Sequence, residues 1–101
     1  MINWDQVHAL RREIGEDAFP EVVNIFLEEV GEVIDRLVLS SDVISDLHFL
    51  KGNAETLGFQ LFAKKCQIAL HALENKRPET VTLPEICECY EESRQAFFRE
   101  L

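Results

Sequence analysis

The chain has 101 residues, enough for one hydrophobic core and too few for two, and its three prolines and four glycines amid 47% apolar residues exclude extended disorder. A net charge of −9 excludes sequence-independent binding to nucleic acid, which needs clustered Lys and Arg, and disfavours anionic membranes. No apolar run approaches a membrane span, and the residues after Met1 lack the apolar core of a secretion signal, so the sequence predicts a cytoplasmic protein of one domain, residues 1–101.

Helical spacing recurs along the whole chain, with no alternating stretch or Asn-Gly hairpin signal for strands. A first short helix is predicted from Asn3 or Trp4 to Ile14, with Trp4, Val7, Leu10 and Ile14 on one face and Gly15 as its stop. A second begins between Asp17 and Pro20 and carries Val22, Val23, Phe26, Val30, Val33, Ile34 and Leu37 at three- and four-residue steps. Val23, Ile25 and Leu27 suggest an extra apolar face on it, with room for a dimer. Ser40 to Asp42 supply caps for a third helix with the stripe Val43, Leu47, Leu50, Ala54 and Leu57, ended by Gly58. The fourth, Phe59 to Asn75, packs Phe62, Cys66, Ala69 and Leu73; a polar loop with Pro78 follows. The fifth runs from about Leu83 to the end through Ile86 or Cys87, Tyr90, Arg94, Phe97 and Leu101. The expected fold is all-α, an antiparallel up-and-down four-helix bundle with a short additional N-terminal helix.

Cys66, Cys87 and Cys89 are an odd set without a disulfide framework and read as reduced structural thiols; no metal site is expected from one C-x-C and scattered histidines. His8 and His71 have no partner in recognisable spacing, and the inward Glu-x-x-His pairs of a di-iron bundle are missing.

The third helix is the informative one. With Leu50 near the centre of the buried stripe and ~100° per residue, His48, Gly52 and Glu55 point away from the core and Lys51 lies at the margin. A glycine one turn beyond an exposed histidine costs helix stability, about 1 kcal/mol against alanine, unless the missing side chain serves something. What it serves is access: another protein's backbone can approach the ring, with Lys51 ready to meet an anion. Exposed imidazole is largely neutral at physiological pH and is a competent nucleophile. The anion these residues suggest is a phosphoryl group.

The stretch HFLKGNAETLG, His48 to Gly58, resembles the signature of histidine-containing phosphotransfer (HPt) domains, H-x-x-K-G with a second glycine six residues on. The resemblance implies that His48 is the phosphoacceptor, Lys51 orients or screens the phosphoryl group, and Gly52 leaves room for the partner. It also implies a monomeric phosphoryl carrier rather than an enzyme: it accepts phosphate from a receiver-domain aspartate and passes it to another receiver in a phosphorelay headed by a hybrid sensor histidine kinase. No cofactor is expected on this chain, since Mg²⁺ belongs to the receiver. Family members usually set a hydrogen-bonding side chain of the fourth helix against the imidazole; Leu70 stands there, so Gln67, one turn earlier, is the substitute. Docking is expected around Phe49, Glu55, Phe59 and the short N-terminal helix, with Lys64 and Lys65 as a small basic island. Two other readings are the phosphoacceptor domain of a chemotaxis-type sensor histidine kinase, against which Leu70 argues where a carboxylate would stand, and a helical adaptor that binds receivers without transfer.

Overall fold

The computed structural model describes residues 1–101 and is all-helical, 43 × 22 × 22 Å in extent. Five helices, α1 (Trp4–Ile14), α2 (Phe19–Arg36), α3 (Val43–Leu57), α4 (Gln60–Glu74) and α5 (Leu83–Glu100), pack as a bundle, with 3₁₀ turns at Leu37–Leu39 and Pro78–Thr80.

The sequence sets these ends by capping. The Asn3 side chain accepts from the Gln6 N–H at 3.2 Å, and the Asp42 side chain accepts from Ser45 N–H at 3.2 Å, so each satisfies a donor left free in a first helical turn. Pro20 and Pro84 fall in the first turns of α2 and α5, where no N–H is missed.

α3 and α4 form a hairpin joined only by Gly58 and Phe59. Gly58 adopts φ +82°, a left-handed conformation that costs other residues, and its N–H bonds Glu55 O at 3.3 Å while Phe59 N–H reaches back to Ala54 O at 2.8 Å. The glycine is required twice, because a Cβ would lie 2.7 Å from the Asn3 carbonyl oxygen. That close approach lets Asn3 N–H donate to Gly58 O at 2.7 Å, and the Gln6 side-chain amide donates to Thr56 O at 3.0 Å. The start of α1 is thereby fastened to the hairpin.

The core follows the expected stripes: Leu47, Leu50, Ala54 and Leu57 of α3, Phe62, Cys66 and Ala69 of α4, and Val23, Val30 and Val33 of α2 are buried. Leu37 is fully buried but belongs to the 3₁₀ turn after α2. An aromatic file closes the α1 end, with Trp4 stacked on Phe97 at 5.7 Å, Phe97 against Phe59 at 5.5 Å, and Phe62 against Tyr90 at 5.4 Å.

Three expectations need correction. Arg94 is not on the buried stripe of α5; it pairs with Glu91 at 2.7 Å, while Ile86, Cys89, Tyr90, Ser93, Ala96 and Phe97 form that stripe. Leu101 is exposed at the chain end. Val23, Ile25 and Leu27 do not share a face, since residues two apart on a helix point ~200° apart: Val23 is core, Leu27 backs it, and Ile25 alone stands out.

Burial pushes the Cys66 thiol up to about 12, with Cys89 and Cys87 adding to the shift, so almost no thiolate exists at neutral pH. Alkylation in the folded protein at pH 8 is expected to leave Cys66 unmodified and to label Cys87, the more exposed of the three, first; peptide mapping reads the order. Gly58→Ala is expected to lower unfolding free energy by more than the ~1–2 kcal/mol of the left-handed backbone alone, because the Asn3 carbonyl must also move; urea denaturation measures it.

Candidate functional site

The site is carried by α3, and its start is held by a buried carboxylate. Asp46, in the first turn, accepts from the Ser40 hydroxyl at 2.6 Å and from Arg36 Nη2 at 3.3 Å, tying the end of α2 to the helix two residues before His48. Sequence reasoning missed this anchor, because an aspartate after a helix cap is ordinary and nothing local says that it will be buried.

His48, Gly52 and Glu55 are exposed and Lys51 is half-buried, as the helical wheel predicts. A Cβ on Gly52 would meet nothing within 4 Å, so no contact inside the chain requires this glycine. The Thr56 hydroxyl folds back onto the Gly52 carbonyl at 3.0 Å and leaves the surface above the glycine bare. One turn beyond the histidine, then, the surface is open.

Lys51 is not idle. Its Nζ lies 3.4 Å from Glu55 Oε1, one turn on, in a partly exposed ion pair of the kind that contributes only ~0.3–0.5 kcal/mol. The cation therefore stands at the edge of the His48 face, held by a carboxylate that a stronger anion can displace.

The other expected site residues are separated. Phe49 is 39% exposed next to His48. Phe59 is fully buried and is no docking residue: it follows the left-handed glycine, where an apolar side chain packs back on the helix it has just left, and it sits against Tyr90 and Phe97. An apolar residue directly after a helix-ending glycine was the signal available in the sequence. Lys64 and Lys65 are split as well. Lys64 is exposed on the rim of an open depression of about 320 Å³ formed with Asn3, Gln6, Glu55, Gln60 and Gln67, whereas Lys65 lines the groove between α4 and α5. Adjacent residues on a helix diverge by ~100°, which places the two ammonium groups on different edges.

Gln67 is exposed, lines that depression together with Ala54 and Glu55, and forms no hydrogen bond with His48. In a hairpin that turns at Gly58, the α4 residue level with His48 is close to Leu70, which is buried in the core. No side chain of α4 hydrogen-bonds the exposed imidazole.

Charge is unevenly spread. The α3–α4 pair carries three carboxylates and three lysines, net zero, while α2 and α5 carry ten carboxylates against three arginines, net −7. The His48 flank is the part of an acidic molecule on which an anion meets least repulsion. No three His, Cys, Asp or Glu side chains converge as a metal site would require.

Among known proteins, the chain is similar to the phosphorelay protein LuxU of Vibrio cholerae serotype O1, 37% identical over 65 residues, with 56% of this chain and 56% of that protein covered. The chain thus spans about half the length of the curated relative it matches. No family model and no solved structure matches it.

Since the space above Gly52 is empty, Gly52→Ala is expected to raise unfolding free energy by about 1 kcal/mol, the difference in helix propensity, without repacking; urea denaturation of the pair measures it.

Proposed function

We propose that this chain is a phosphoryl carrier of a multistep phosphorelay, a histidine phosphotransfer protein in which His48 is the acceptor. The observation that carries the reading is an exposed histidine on a rigid helix, one turn from a glycine whose empty flank nothing in the chain occupies, with an ammonium group at its margin. The similarity to a phosphorelay protein supports it. In this reading the fold is an antiparallel up-and-down four-helix bundle with α1 laid across one end, and the protein is a cytoplasmic monomer.

The transfer needs little from this side. A ring nitrogen of His48 attacks the phosphorus of a receiver's phosphoaspartate; the P–O bond to the aspartate breaks, the carboxylate leaves with the bonding pair, and the proton on the other ring nitrogen is lost to water. Reversal onto a second receiver completes the relay. Mg²⁺ and the groups that stabilise the transferring phosphoryl charge belong to the receiver, so the chain is substrate and intermediate rather than enzyme. Lys51 meets the phosphoryl oxygens, Gly52 admits the receiver's backbone, and Phe49, Glu55 and Lys64 border the docking area. A hybrid sensor histidine kinase supplies the first phosphoryl group.

The test is transfer from Mg²⁺-loaded, pre-phosphorylated receiver domains to the wild type and to His48→Gln, read by intact mass. An acid-labile gain of one phosphoryl group on the wild type alone is expected; an equal gain on His48→Gln sinks the assignment, and binding without gain identifies an adaptor. Gly52→Leu, with its fold intact, is expected to lower kcat/KM for transfer by about tenfold or more, the effect of some 1.4 kcal/mol of lost docking.

A further inference from the structure

The ion pair between Lys51 and Glu55 joins the one cation beside His48 to the only exposed carboxylate on α3, Asp46 being turned inward to Ser40 and Arg36. On the helix Lys51 is three residues beyond His48 and four before Glu55, so its ammonium group has two stations on one face. With the ring unmodified, only the Glu55 station holds an anion. A phosphoryl group on His48 would place a second one there, with about −1.5 to −2 charges and three acceptor oxygens against the single charge of a carboxylate.

We propose that Glu55 is a positioning residue for the phosphoryl site: it holds Lys51 away from His48 while the ring is unmodified and surrenders it when the ring carries a phosphoryl group. The inference rests on the phosphoryl-carrier reading and adds to it a competing anion within the chain. The freed Glu55 carboxylate has a second cation near it, because Lys64 lines the same depression. Glu55 thereby stabilises the unmodified state relative to the phosphorylated one and makes the phosphoryl group easier to pass on. Phosphorylation would also alter the surface two turns away from the histidine, so donor and acceptor receivers meet different charge patterns.

The experiment uses N-phosphoimidazole as donor with excess imidazole. A ring nitrogen of His48 takes the phosphoryl group, the P–N bond of the reagent breaks and imidazole departs, so the mass ratio at equilibrium reports the relative stability of the two states. Glu55→Gln is expected to shift that ratio toward the phosphorylated form by about twofold, the size of an exposed ion pair, and the shift is expected to vanish in a Lys51→Met background. A second readout is the ¹³C shift of the Glu55 carboxyl, expected to move on loading of the wild type and to stay fixed on loading of Lys51→Met. An equal shift of the ratio in both backgrounds overturns the proposal, since Glu55 would then act on the phosphoryl group directly through its charge. Failure of the wild type to take up a phosphoryl group overturns the carrier reading and this inference together, whereas uptake with additive effects overturns this inference alone.

Discussion

The structure depends on the close approach of two backbones at Gly58. A residue with a side chain cannot take the left-handed turn cheaply, and even if it did, its Cβ would press on the Asn3 carbonyl. Because the position is glycine, α3 reverses into α4 over two residues, the Asn3 N–H reaches the Gly58 carbonyl, and α1 is sewn to the turn of the hairpin. The direction of α4, and with it the placing of its buried stripe against α3, follows from that turn. A second tie, Asp46 to Ser40 and Arg36, fixes the other end of α3, so the helix that carries the histidine is pinned at both ends while its outward face remains unobstructed.

The chemistry suits a site with few parts. The groups that usually tune reactive residues, a low-dielectric pocket or a convergent set of charges, are missing around His48, which stands on an open surface with one cation nearby. On the proposed reading, the imidazole draws its reactivity from what a partner brings. In the core, burial pushes the Cys66 thiol and the Tyr90 phenol up, and on α5 the Glu91 and Arg94 side chains favour each other's charged forms.

Much of this was legible in the sequence, and where it was not, a physical reason can be named. Helix extents and the buried stripes of α3 and α4 follow from apolar periodicity, and the exposure of His48, Gly52 and Glu55 from the same wheel. The wheel fails off the helix, which is why Phe59 was misread: its burial is decided by the left-handed glycine before it and by α5 arriving from 38 residues away to set Phe97 against it. It fails again where two helices must be registered against each other. Gln67 is on the exposed face of α4, but it lines the depression shared with Glu55 and makes no hydrogen bond with the imidazole. The Lys51–Glu55 pair was within reach of the four-residue spacing; the burial of Asp46 was not, because only the folded path of the Ser40 loop shuts it from water.

One seam remains. α2 packs on α3, α3 on α4 and α4 on α5, but α5 and α2 meet largely through side chains, the Tyr90 hydroxyl donating to the Leu27 carbonyl at 3.3 Å and the Cys87 thiol lying 3.8 Å from the Ile34 carbonyl. Between these two stitches Gly31 offers no side chain to fill the gap. A bundle joined this way has a built-in line of weakness, and it runs on the far side of the molecule from the α3–α4 hairpin. Local opening between α5 and α2 would leave the ties at both ends of α3, at Asp46 and at Gly58, in place.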